Sequence, residues 1–270
     1  MSKKANSPNA TTDIERINRD AFVTATMISF EKLGDYLNMM EWSLEDLKRS
    51  GVEQIVRSCG TGGMLEFAGA RKLLKSHLKR FDREMARSLR YSAVVSLYML
   101  CESHACQFIN DFAKMYPGKP EFRRFGKEKK NKNKGFILNF RGWLQAAPTT
   151  VTLKHPRIWD QLDDFRIIRN CIAHANGDLS LTRDQKKLKE AVHRSRGVAK
   201  IDCFRTLVLE TTYAAGFVGK LSSFFCLLFR AAGYGMETPP GYYEAMNRSF
   251  AGFENDIAEA KEVYYKRQTL

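Results

Sequence analysis

Several signatures of common enzyme classes are missing from this 270-residue chain. The six cysteines (Cys59, Cys101, Cys106, Cys171, Cys203, Cys226) form no C-x-x-C pair, and four of them sit inside apolar helical patterns. That usage excludes a zinc ribbon or a disulfide scaffold and predicts buried thiols in a reducing cytoplasm. The five histidines (His77, His104, His155, His174, His193) form no H-x-x-x-H or H-E-x-x-H, which argues against a zinc hydrolase. No serine or cysteine stands in a nucleophile-elbow context, and neither a P-loop nor a dinucleotide-binding fingerprint occurs. The glycines of Cys59-Gly60-Thr61-Gly62-Gly63 lack the lysine of a P-loop and follow no clear strand, so they read as a flexible turn. The chain also lacks an internal repeat, a sustained heptad pattern and any run of β-alternation. Its N-terminal stretch has no hydrophobic core of the kind a signal peptide requires.

Positive charge is plentiful. Forty-four lysines and arginines against thirty acidic residues give a formal net charge of +14. Such an excess favours a polyanionic partner, either nucleic acid or an anionic membrane surface. The most apolar run, Ala214 to Ala232, is interrupted by Lys220 and Arg230 and reads as a buried core helix in preference to a membrane span.

Along the chain the periodicity is helical. Residues 1–12 are predicted to be a disordered tail. Ile17, Met27, Ile28, Leu33 and Leu37 predict an amphipathic helix from Asp13 to about Met40, broken near Gly34, with a short second helix capped by Ser43. Arg71 to Arg90 is a helical stretch whose cations suit either a phosphate-tracking ridge or a solvated face. Val94, Tyr98, Cys101, Ala105, Phe108 and Phe112 make a wide apolar stripe on a helix from Tyr91 to Met115. Glu102 lies on the flank of that stripe, where an unpaired carboxylate is costly, and His104 on the other flank reads as a core-edge histidine.

Between Tyr116 and Arg141 the composition turns basic. Lys119, Arg123, Arg124, Lys127, Lys129, Lys130, Lys132 and Lys134 are interleaved with Phe122, Phe125 and Phe136. Cations alternating with rings in a loop suit a single-stranded nucleic acid, through phosphate attraction and base stacking. Phe136–Trp143 predicts a short helix. Arg183–Lys200 is basic again, Phe204–Arg230 predicts a core helix, and Ser249–Tyr265 a last amphipathic one.

The polar chemistry concentrates between Asp163 and Gly177. Ile158, Leu162, Phe165, Ile168 and Ile172 fall on one helix face, and Arg169 falls inside that stripe. A guanidinium that points inward needs a carboxylate, carbonyls or a ligand crevice, and Glu102 is the candidate partner. Asn170 and His174, four apart, share the neighbouring face with Arg166. Gly177 supplies the helix stop.

Arg169-Asn170-x-x-x-His174, late in a helical chain and followed by Asn176-Gly177, resembles the R-x4-6-H signature of the HEPN superfamily. The resemblance covers about Arg87 to Tyr234, and the order of long helix, basic insertion, motif helix and second apolar helix is similar to the family's. It implies an all-α, HEPN-like helical bundle over 87–234, with an N-terminal helical extension over 13–86 and a C-terminal helix within 235–270 packed on the same domain. It further implies a metal-independent endoribonuclease, without a cofactor, that cleaves RNA by attack of the 2′-hydroxyl. His174 would be the acid or base, Arg169 the phosphate clamp and Asn170 the orienting amide, with Glu102 and Arg166 in support. Lys127, Lys129, Lys130, Lys132 and Lys134 would contact the RNA. A cytoplasmic homodimer in a toxin or phage-defence setting follows by the same resemblance, with an antitoxin or defence-system protein as a partner and no membrane. The alternative is a catalytically inactive HEPN-like module for RNA binding or assembly.

Overall fold

A computed structural model describes residues 13–59, 64–128, 131, 134–153 and 157–234 of the chain, with the side chains of 13–18, 59 and 64–68 left aside. The expected tail 1–12, the glycine run 60–63 and the expected helix Ser249–Tyr265 lie outside the described residues. The fold is mostly helical, with one small two-stranded sheet among the described residues. The described residues belong to one compact unit.

Helix α1 spans Asp13–Cys59 without a break, about 70 Å at the usual helical rise. The expected interruption at Gly34 is absent for a packing reason. A Cβ there would sit 3.4 Å from Val218, so glycine lets a second helix approach the backbone closely, which offsets its cost of about 1 kcal/mol in a helix. Ser43 does not cap a new helix; its hydroxyl donates to the Met39 carbonyl at 2.9 Å and stays inside the same one.

Helix α2 (Met64–Lys79) runs through a π-turn (Arg80–Met85) into α3 (Ala86–Met115). The predicted α3 stripe is buried throughout, from Val94 to Phe112. Short helices α4 (Phe122–Lys127) and α5 (Phe136–Leu144) follow, then α6 (Ile158–Ala175) and α7 (Gln185–Arg194). The chain next forms an antiparallel hairpin of β1 (Ala199–Ile201) and β2 (Leu207–Leu209), and enters α8 (Thr212–Ala231).

The hairpin corrects the expectation of a helix from Phe204. Asp202 Oδ1 accepts from the Phe204 amide at 2.9 Å and the Thr206 amide at 2.8 Å, folding a tight turn that leaves Phe204 70% exposed. Helix α8 begins only after it. By length and composition α8 could cross a bilayer, yet Phe217, Val218, Leu221, Phe224, Phe225, Leu228 and Phe229 are all buried in the fold.

The core is built from rings at the α1, α3 and α8 crossing. Phe30 meets Phe225 at 5.4 Å, Phe22 meets Phe229 at 5.4 Å and Phe108 stacks on Phe112 at 5.3 Å. Such pairs contribute about 0.5–1.5 kcal/mol each beyond burial. His104 sits among them, 9% exposed, with Nδ1 3.3 Å from the Thr26 hydroxyl. Burial holds its imidazole below the ordinary histidine range, so it is a neutral core residue. Beyond Leu37, α1 leaves this core. From Asn38 to Met85 none of the residues with described side chains is buried.

Candidate functional site

The motif helix α6 is fixed by its inward stripe and by its C-terminus. Ile158, Leu162, Phe165, Ile168 and Ile172 are all buried. At the end, Asn176 and Gly177 both take positive φ (47° and 78°), and the Gly177 amide donates back to the Cys171 carbonyl at 3.1 Å. Only glycine fits at 177, since a Cβ would lie 1.8 Å from Tyr91 Oη. That Tyr91 hydroxyl donates to the Leu207 carbonyl at 2.5 Å, and the Leu207 amide donates to the Gly177 carbonyl at 2.8 Å. The end of α6 is thereby clamped between α3 and the hairpin, three residues beyond His174.

Arg169 meets the carboxylate that the sequence pointed to. Its Nη2 lies 3.5 Å from Glu102 Oε1 on α3, with the two side chains 21% and 32% exposed. The pair is therefore half-buried, and solvent screening places its worth near ~1 kcal/mol or below. The larger support is Tyr98, which the sequence pattern places only in the core stripe. The guanidinium lies 3.8 Å above the Tyr98 ring, a cation–π distance, and the ring is 1% exposed against Phe165. Burial, and then the neighbouring Glu102 carboxylate, push the Tyr98 phenol well above its ordinary range, so it stays neutral beneath the cation. The available signal was the four-residue spacing of Tyr98 and Glu102, which puts both on the α3 face opposite Arg169. Arg169 Nε is buried with no partner among the described residues.

Asn170 is half-buried, His174 is exposed, and neither side chain has a hydrogen-bond partner among the described residues. Arg166 donates through Nε to Asp163 Oδ1 at 2.8 Å. It also touches the basic insertion: a Cβ on Gly135 would lie 2.8 Å from Arg166 Cδ. Arg166 further acts, after the nearer Lys187, among the groups that hold the Asp184 carboxylate below its usual range, which brings the start of α7 to the same place. Five residues of α-helix separate Arg169 from His174, about 140° of rotation, so the two straddle Asn170 and Arg166. Arg169 is turned to α3, Arg166 is held by Asp163 beside Gly135 with its side chain 18% exposed, and Asn170 and His174 form the outward pair. An anion seated over Asn170 would have a guanidinium to one side and an imidazole to the other.

The basic insertion is only partly as the sequence suggested. Lys127 and Lys134 are exposed, Lys134 donating to Asn131 Oδ1 at 3.1 Å, while Lys129, Lys130 and Lys132 lie outside the described residues. Lys119 is not available to a ligand. It is 6% exposed, and its Nζ donates to the carbonyls of Ala146 (2.7 Å) and Thr149 (2.6 Å) while lying 5.0 Å over the Trp143 ring. Burial lowers the pKa of this ammonium, and the carbonyls it joins close the connection after α5. The interleaved rings are also inward. Phe125 is buried, and Phe122 packs at 5.5 Å on Phe136 and at 6.0 Å on Trp143. These rings hold the α4 and α5 helices together and are not free to stack on bases.

Among the described residues no group of three His, Cys, Asp or Glu side chains is arranged to hold a metal ion. No protein-family model, curated protein or solved structure matches the chain.

Proposed function

We propose that the chain is a metal-independent endoribonuclease of the HEPN type, acting through Arg169, Asn170 and His174 of α6. The observation that carries the reading is the pairing of two conditions on one helix. Arg169 is built into the fold by Tyr98 and Glu102, whereas Asn170 and His174 face outward with no structural partner among the described residues. Neither side chain is used to hold the fold together there, so both are available to a ligand.

In the reaction, His174 takes the proton from a ribose 2′-hydroxyl, and that oxygen attacks the adjacent phosphorus. The bond to the 5′-oxygen breaks, the imidazolium returns the proton to it, and the products are a 2′,3′-cyclic phosphate and a 5′-hydroxyl. Arg169 stabilises the charge that grows on the phosphorane and Asn170 orients the phosphate. Proton transfer contributes about two to four orders of magnitude and one positioned cation about two to three. Arg166 and the insertion ending at Gly135 supply positive potential to the approaching strand. A cytoplasmic homodimer, a toxin or phage-defence role and restraint by an antitoxin or defence-system partner belong to this proposal through the family resemblance.

The test is the product. Purified protein incubated with RNA in excess chelator should yield 2′,3′-cyclic phosphate ends, and failure to cut varied RNAs removes the enzyme reading. The second reading, an inactive RNA-binding or assembly module, is favoured by one observation: Glu102 and Tyr98 already engage Arg169 without a substrate.

A further inference from the structure

We propose that the outer face of α2, remote in sequence from the motif, is a docking ridge for the phosphate backbone of double-stranded RNA. RNA as the ligand class rests on the proposed function, whether or not the motif cleaves it.

Little holds the arm that carries this ridge. Between Asn38 and Met85, α1 and α2 run beside one another with none of the described side chains buried, and α2 packs on α1 and the π-turn and on no other helix to a comparable extent. The inner side of α2 is spent on that packing. The His77 ring covers the α1 backbone so closely that a Cβ on Gly51 would collide with it, its Nε2 lies 3.1 Å from the Lys48 carbonyl oxygen, and it packs at 4.6 Å on Phe81.

The outer side is cationic. Arg71, Lys72, Lys75, Lys79, Arg80 and Arg83 are all exposed, and none forms an ion pair among the described residues. The α1 cations beside them behave differently. Lys48 pairs with Asp82 at 2.7 Å, Arg49 pairs with Asp46, and Arg57 lies 3.5 Å from Glu53. Asp82 is therefore committed to α1, which leaves Glu84 as the other acid between Arg71 and Arg90.

Arg71, Lys75 and Lys79 recur every four residues and Lys72 fits the same face, so the charges form a slanted row along one face with about 6 Å of rise between members four apart. A row of fixed cations matches a polymer of phosphates better than a single anion. Single strands are held by stacking bases on exposed rings as well as by charge. Among the described residues this face has no exposed ring, because His77 packs on α1 and Phe81 packs on His77. Duplex RNA is recognised mostly through its shape and its sugar–phosphate backbone, which is the interaction such a row can make. A membrane would need an apolar strip beside the cations, and Leu73 is the one strongly exposed apolar side chain of the described α2 residues.

The experiment measures binding of a 2′-O-methyl RNA duplex, which lacks the attacking hydroxyl, over a range of salt. The variant carries Arg71→Gln, Lys72→Gln, Lys75→Gln and Lys79→Gln, changes that keep helix propensity, with circular dichroism as the control for folding. If all four cations neutralise phosphates, the slope of log affinity against log salt should become shallower by about 3–4, at roughly 0.9 for each phosphate no longer neutralised. An unchanged slope overturns the inference and leaves the ribonuclease reading standing. Loss of binding to phosphatidylserine vesicles, or to single-stranded 2′-O-methyl RNA, with duplex binding intact overturns it as well. A wild type that binds duplex through the ridge yet cuts no RNA supports the ridge and removes the enzyme.

Discussion

Gly177→Ala should loosen the end of the motif helix, and its cost follows from two features of the geometry. The residue sits at φ +78°, where an alanine is disfavoured by about 1–2 kcal/mol. Its new Cβ would fall 1.8 Å from Tyr91 Oη, so the tyrosine must withdraw from the Leu207 carbonyl it now reaches at 2.5 Å. Leaving that buried pair unmade costs about 1–3 kcal/mol, for a sum of about 2–5 kcal/mol. In a protein of this size that corresponds to a fall of about 4–20 °C in melting temperature, read by circular dichroism at 222 nm. Tyr91→Phe removes the nearest obstructing atom and the hydrogen bond that the alanine would break, while ring carbons 2.5 and 2.8 Å away still press on the new Cβ. The double variant should therefore melt higher than the sum of the two single losses predicts. A Gly177→Ala protein that melts within about 1 °C of wild type, or strictly additive losses, would refute the clamp.

Three further outcomes can be checked separately. Glu102→Gln should cost about 1 kcal/mol in urea unfolding, because the pair with Arg169 is a single 3.5 Å approach between partly exposed side chains; a loss of several kcal/mol would mean a fully buried pair. Burial depresses the His104 pKa among Phe22, Phe30, Phe225 and Thr26, so the unfolded chain binds the extra proton first. Stability should hold above the unfolded value near pH ~6.5 and fall as pH drops below it, and His104→Leu should flatten that fall; an equal pH dependence in the variant rules it out. Replacing Lys127, Lys129, Lys130, Lys132 and Lys134 with Ser should weaken single-stranded RNA binding and reduce its salt slope by roughly 0.7 for each phosphate involved, whereas unchanged binding would remove the insertion from the interface.

Legibility in the sequence is governed by periodicity. The α3 and α6 stripes repeat at 3.6 residues over four or more turns, and that is enough to place Glu102 opposite Arg169. Features set by tertiary packing are not legible. The strands Ala199–Ile201 and Leu207–Leu209 are too short to show alternation, and their turn depends on one carboxylate, Asp202. Gly34 reads as a helix breaker in isolation and is a packing residue beside Val218. Lys119 reads as one more cation of a basic loop, although its ammonium closes on carbonyls of the connection after α5. Phe122, Phe125 and Phe136 look free for stacking until Phe125 is found buried and Phe122 packed on both Phe136 and Trp143. In each case the role is set by packing or hydrogen-bond neighbours that the sequence pattern does not show.

His174→Ala tests the central proposal most directly. The side chain is exposed at the end of α6 and makes no hydrogen bond among the described residues, so the variant should fold and melt close to wild type, within about 0.5 kcal/mol. Its RNA affinity should also persist, because binding rests on lysines and arginines that the change leaves in place. Cleavage in chelator should fall by at least about a hundredfold, since neither a guanidinium nor the Asn170 amide can serve as the general base. A folded, RNA-binding His174→Ala protein that cuts as fast as wild type would contradict the account.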